Sequence, residues 1–183
     1  MPQSVRALLD QNSVWHGAEL IDAFAERRTD LRDGRPSPSQ SDLLALVGLK
    51  AGLGVVAIEA KVDEGFDTTV DEWHARPSLG KDARLAKLCA LFGLDQATVG
   101  TLRYQLLHRT ASAVIEAKRY RAQQAAMIVQ SWSARHDGYN DYARFLVAIG
   151  MTDIEPGRFY GPLMVDGVAL SAGWSAELEP VKL

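Results

Sequence analysis

One cysteine, Cys89, is too few for an internal disulfide. That excludes a disulfide-stapled secreted scaffold and makes a reducing, cytoplasmic setting the expectation. Cys89 lies in the apolar helical pattern Leu85–Phe92, so a small core residue is expected there, not a nucleophile. No apolar run approaches the length of a membrane span, and Met1–Asp10 lacks the basic patch and apolar stretch of a secretory leader. No membrane partner is expected. A glycine-rich phosphate loop is missing, because Gly48–Gly54 lacks the Lys-Ser/Thr ending, and no serine stands in a nucleophile elbow. His16, His74, His108 and His136 are not spaced with one another or with Cys89 as zinc ligands are. Trp15, Trp73, Trp132 and Trp174 are scattered, which suits core anchors better than a base-stacking platform.

What is present fits one domain, residues 1–183, with 47% apolar and 23% charged residues. The net charge of −3 is unlike that of most dedicated nucleic-acid binders, but it is unevenly spread. Residues 1–72 carry 7 basic and 13 acidic side chains, whereas residues 81–121 carry 8 basic and 3 acidic ones. The basic stretch is either a phosphate-facing stripe or a solvated helix face.

The apolar spacing of Ala18, Ile21 and Ala25 predicts a helix over 15–28. Residues 32–39, with Gly34, Pro36 and Pro38, read as loop, so no strand is expected between that helix and Asp42. Two apolar runs follow, 42–49 and 55–62, joined through Ala51-Gly52, which predicts a hairpin. Both runs are apolar on both faces, as in a sheet covered on two sides. Helices are expected over 81–92, stopped by Gly93, and from 95–101 to about Ala122. Residues 125–132 read as a third buried strand, 141–149 as a helix, and 163–170 as a hairpin turning at Asp166-Gly167.

Asp42, Glu59 and Lys61 are the charged side chains in the body of the first hairpin. With a turn centred on Ala51-Gly52, Asp42 lies across from Lys61, and Glu59 shares the Lys61 face. Such charges in an apolar hairpin are unfavourable unless they are paired or bind an ion. Two carboxylates suit a hard cation such as Mg²⁺, with Glu19 a candidate third ligand from the opening helix. A plain ion pair at a strand end is the competing reading. On the long helix, Gln105 and Arg109 stand four residues apart in a polar stripe. Arg109, Lys81 and Arg84 are candidates to hold phosphate oxygens. The acidic run from Asp63 to Glu72 opposes nucleic acid if it lines the same cleft.

Ser39-Gln40-Ser41-Asp42 and Ile58-Glu59-Ala60-Lys61 resemble the signature of the PD-(D/E)XK nuclease-like superfamily, with Ser41 in place of its proline. The resemblance implies an α/β, restriction-endonuclease-like αβββαβ core, its central sheet flanked by helices, here with an added C-terminal β-hairpin. It implies Asp42 and Glu59 as Mg²⁺ (or Mn²⁺) ligands and Lys61 as the catalytic lysine, with Glu19 and Gln105 at positions some members also use. Segments 42–44, 59–64, 103–113 and Gly173-Trp174 also resemble a group of uncharacterised small bacterial proteins. The expected function is a Mg²⁺-dependent nuclease hydrolysing phosphodiester bonds. The alternative is a non-catalytic binding or regulatory protein retaining that fold. Expected partners are nucleic acid and a protein supplying specificity, with a homodimer left open.

Overall fold

The computed structural model describes residues 1–176. Helix α1 (Gln3–Leu9) opens the chain and buries Val5, Leu8 and Leu9, three residues at the spacing of one helical face. Three strands follow as an antiparallel meander: β1 (Glu19–Thr29), β2 (Ser39–Leu49) and β3 (Gly52–Lys61). Helices α2 (Val70–His74), α3 (Leu79–Phe92) and α4 (Tyr104–Arg119) carry the chain over to β4 (Gln124–Ser131), which lies parallel to β3. A parallel partner requires such a crossover, because no tight turn can return the chain to the same end. Helix α5 (Tyr139–Ala148) then leads to β5 (Phe159–Val165) and β6 (Val168–Ala176). The result is a mixed, open six-stranded sheet in the order β1-β2-β3-β4-β6-β5.

The two sides of this sheet are filled differently. On one, Leu44, Val55, Ala57, Met127 and Val129 pack with residues of α3, α4 and α5 in the larger core. On the other, Val47, Val56, Ile58, Ala126 and Ile128 meet α1 and the fully buried Trp15. That is why β2 and β3 read as apolar on both faces. Local signals end the elements, although α3 begins at Leu79 and α4 at Tyr104, not at 81 and within 95–101 as expected. Ser78 caps α3 by accepting from the Lys81 N–H, and Gly93 closes it in the left-handed conformation. Asp166 and Gly167 both take positive φ, as a two-residue hairpin turn needs. Cys89 is buried in the larger core. No helix among the described residues is long and apolar enough to cross a membrane.

The opening segment corrects the sequence expectation. Residues 19–29 form strand β1, not a helix. A bulge between Leu20 and Asp22 breaks the period-two alternation, so Leu20 and Ala23 reach the same side three residues apart. Ala18, Ile21 and Ala25 happen to fall at helical spacing, although Ala18 lies outside the strand. The first strand that the Gly- and Pro-rich segment 31–40 could not supply is therefore β1 itself. The hairpin register also differs. Leu49 pairs with Gly52, so the turn is Lys50-Ala51 and the register is two residues from the expected one. An even shift leaves every side chain on its expected face.

A buried ion pair ties the segment between β1 and β2 to α3. Arg84 donates from Nε and Nη2 to the Asp33 carboxylate and from Nη2 to the Ser37 carbonyl, the latter at 2.7 Å. Both side chains are almost wholly buried, at 6% and 1% exposure. Breaking such a pair strands a charge without solvent, so Asp33→Ala should cost about 3–5 kcal/mol of stability in denaturant unfolding. A loss within about 0.5 kcal/mol would mean that the pair is solvated and the segment is held by other contacts.

Candidate active site at the carboxyl end of β3

Strand β3 ends where its parallel partner β4 also ends, with the start of α4 packed over the pair. Open α/β sheets place ligands at such carboxyl ends. Glu59 and Lys61 occupy alternate positions there, facing α4, and both are buried, at 4% and 6% exposure. Gln105, in the first turn of α4, bridges them. Its Nε2 donates to Glu59 Oε1 at 2.5 Å, and its Oε1 accepts from Lys61 Nζ at 3.2 Å. One turn later Arg109 donates from Nε to Glu59 Oε2 at 2.7 Å and from Nη1 to Ser39 Oγ at 3.3 Å. The Lys61 ammonium also stands 3.4 Å from Glu59 Oε1 and 3.8 Å from Glu64. It lies over the Phe66 ring as well.

Asp42 completes the group from β2. The ladder between β2 and β3 stops at Leu43 and Ile58, and Asp42 is the next residue, across from Glu59. There the Asp42 side chain takes the place of a ladder bond, its Oδ2 accepting from the Ala60 N–H at 2.7 Å. Burial pushes the Glu59 pKa up, and the nearby Asp42 charge adds to this, against the lowering pull of Arg109 and Lys61. Two neighbouring carboxylates that raise each other's charging cost are an arrangement that a bound cation would relieve.

The residues present fit a hard cation on one condition. Asp42 and Glu59 supply oxygen donors of the right chemistry, and Mg²⁺ needs few protein ligands because it retains water. Among the described residues, no three His, Cys, Asp or Glu side chains are grouped to hold a metal. Both Glu59 oxygens are already engaged, so the condition is that Arg109 leaves. The gap lined by Ser41, Glu59, Arg109 and Met127 has no room for a water.

Three sequence candidates lie elsewhere or are otherwise employed. Glu19 pairs with Gly48 on β1, at the opposite end of the sheet from Asp42, so it is not part of this group. Six residues of β2 separate those levels, roughly 20 Å at strand spacing. Arg84 is committed to Asp33. Lys81 donates to the Trp73 carbonyl at 2.5 Å and covers the Trp73 ring. Of the basic stretch, Arg103 is paired with Asp141 at 2.7 Å and Lys118 with Asp166 at 2.5 Å. Ser39, which stands beside the motif, and His108, a histidine of the long helix expected to pack or cap, belong to the same hydrogen-bonded group, though neither was expected at the site.

A family described as Domain of unknown function (DUF6946) matches residues 1–179. The chain belongs to the DUF6946 family. No curated protein and no solved structure matches it. Within this DUF6946 chain, residues far apart in sequence converge on one carboxylate, and the carboxylate determines what each of them can do.

His108 lies behind Arg109, its Nδ1 2.8 Å from Ser39 Oγ. Burial, reinforced by the charges of Arg109 and Arg84, lowers its pKa to about 3. The imidazole is therefore neutral in the folded chain and protonated in the unfolded chain below its ordinary value near 6.5. The stability it contributes is complete above pH 6.5 and is lost as pH falls toward about 3. His108→Gln keeps a polar partner for Ser39 and removes the titration. Its melting temperature should drop less than the parent's between pH 6.5 and pH 4, measured over a common buffer series. Parallel pH curves would contradict the buried, neutral imidazole.

Proposed function

We propose that this protein is a Mg²⁺- or Mn²⁺-dependent hydrolase of phosphodiester bonds in nucleic acid. One observation carries the reading: Asp42 stands across from Glu59, with Lys61 two residues further on, at the carboxyl end of a strand whose parallel neighbour follows a helical crossover. The order of α1, β1–β3, α4 and β4 supports it too, since it is the αβββαβ order of the PD-(D/E)XK superfamily.

In this reading Asp42 and Glu59 hold the cation. A bound divalent cation lowers the pKa of its water and neutralises charge on a phosphoryl group. Lys61, aimed by Gln105, orients the attacking water and faces the negative charge that develops on the phosphate. Arg109 neutralises Glu59 until substrate arrives, and a phosphate oxygen is the natural competitor for its guanidinium. No separate DNA-reading module is present among the described residues, so sequence specificity comes from a partner protein or a second copy of the chain.

A second reading rests on the closure of the same group. With Glu59 held by Arg109, Gln105 and Lys61, the cluster serves as a buried polar anchor in a non-catalytic binding or regulatory protein. Asp42→Asn separates the two. Asp42 is half-buried and makes one main-chain contact that asparagine also accepts, so folding should be largely kept. The hydrolase reading expects millimolar Mn²⁺ to raise the parent's melting temperature and to support cleavage of oligonucleotides, with both effects lost in Asp42→Asn. Glu59→Ala is the destabilising contrast. It leaves Lys61 and Arg109 buried and unpaired, a loss of about 3–5 kcal/mol in either reading. A parent that neither binds metal nor cleaves leaves the anchor reading standing.

A further inference from the structure

Behind the Glu59 group lies a cavity of about 140 Å³, lined by Arg35, Ser37, Ser39, Arg84, Tyr104 and His108, with Trp73 and Pro38 completing the wall. We propose that it is an oxyanion pocket that takes a dianionic phosphate group, free or terminal. Its chemistry is one-sided. Two guanidiniums border it, and the side chain of Asp33 pairs with the guanidinium of Arg84. That leaves one positive charge unbalanced.

The unbalanced group is Arg35. Its Nη1 is buried and has no hydrogen-bond partner among the described residues, a costly state for a charged donor. The rest of the side chain is held in place. Its stem lies against Gly80 of α3, where a side-chain Cβ would meet Arg35 Cγ and Cδ at 3.4 Å. Its guanidinium carbon sits 5.9 Å from the centre of the Trp73 ring, and its own N–H is fixed by Asp33 Oδ1 at 3.0 Å. The opposite wall is Tyr104, stacked on Trp73 with ring centres 4.0 Å apart and its hydroxyl 3.5 Å from Arg84 Nη1. Neutral His108 adds no competing charge, and Ser39 adds a hydroxyl. A donor without an acceptor, an aimed guanidinium and hydroxyls around a small cavity describe the binding of a compact oxyanion.

The size favours a single compact group over several nucleotides, because 140 Å³ has room for little more than one phosphate. Such a dianionic phosphate group has two sources: inorganic phosphate, and the terminal phosphate of an oligonucleotide. Ser39 lines the pocket and also accepts from Arg109, so a terminal phosphate held here would lie next to the Glu59 group. The second source rests on the hydrolase reading; the first does not.

Calorimetric titration of the full chain tests this, with inorganic phosphate against chloride at matched ionic strength. The parent should bind phosphate saturably, and Arg35→Gln should weaken binding at least about tenfold, the effect of losing one charge-assisted contact. Arg35→Gln leaves the Asp33–Arg84 pair intact, so the protein should remain folded, with a cooperative thermal transition in the absence of phosphate. Arg35→Lys, which keeps the charge, should bind with intermediate strength and guards against a folding defect. In a second arm, an oligonucleotide with a 5′-phosphate is compared with its 5′-hydroxyl counterpart in a metal-free buffer. Tighter binding of the phosphorylated strand, abolished by Arg35→Gln, assigns the pocket to nucleic-acid ends. Equal binding of the two strands, with phosphate still bound, assigns it to free phosphate. No saturable phosphate binding, or binding that Arg35→Gln leaves unchanged, overturns the pocket without touching the metal reading.

Discussion

The buried carboxylate of Glu59 is the constraint around which this end of the molecule is organised. A carboxylate with 4% exposure survives only if donors surround it, and here they come from three places. Lys61 comes from the same strand, and Gln105 and Arg109 come from successive turns of α4. Those contacts set the rotation of α4 about its axis, and α4 is the helix that fills one side of the sheet. Arg109 passes the constraint on to Ser39, and Ser39 to His108, so the start of β2 is registered against α4 by the same chain of hydrogen bonds.

This arrangement carries a conflict that stability alone does not explain. Asp42, one residue past the end of the β2–β3 ladder, raises the free energy of the Glu59 charge that Arg109 and Lys61 lower. As a structural anchor Asp42 supplies one bond, from the Ala60 N–H, which a neutral asparagine would supply as well. In the proposed hydrolase reading Asp42 would be the second ligand of a cation, and Arg109 the internal counter-ion that balances Glu59 in its absence. The neighbouring cavity carries an imbalance of its own, a guanidinium nitrogen lacking an acceptor. In the proposed reading the carboxylate pair would face a cation and this guanidinium a phosphate, the two places being joined through Ser39.

Much of this was legible in the sequence where the signal was local. Strands β2 and β3 are apolar on both faces, and Glu59 and Lys61 stand two apart, so their shared face followed from strand alternation. Stop and turn signals announced themselves at Gly93 and Asp166-Gly167. Strand β1 was illegible because Ala18, Ile21 and Ala25 happen to fall at helical spacing although Ala18 lies outside the strand, and with it Glu19 was drawn into a site it does not reach. The register was displaced by two because Gly52 attracts a turn, whereas it begins β3. Arg84 read as a free phosphate contact because its partner, Asp33, is 51 residues away in an irregular segment. Arg35 gave no signal for the same reason: its unsatisfied nitrogen is a property of packing, and packing between a loop and two helices is not written at fixed spacing.

The central claim is that the Glu59 group is a cation site held closed by Arg109. Anomalous diffraction from crystals grown with Mn²⁺ and a cleavage-resistant phosphorothioate oligonucleotide tests it most directly. The account predicts an anomalous peak bridging the Asp42 and Glu59 carboxylates, with Arg109 moved off Glu59 onto a phosphate oxygen. Arg109 still bonded to Glu59 in the bound complex, with no peak between the carboxylates, would contradict it.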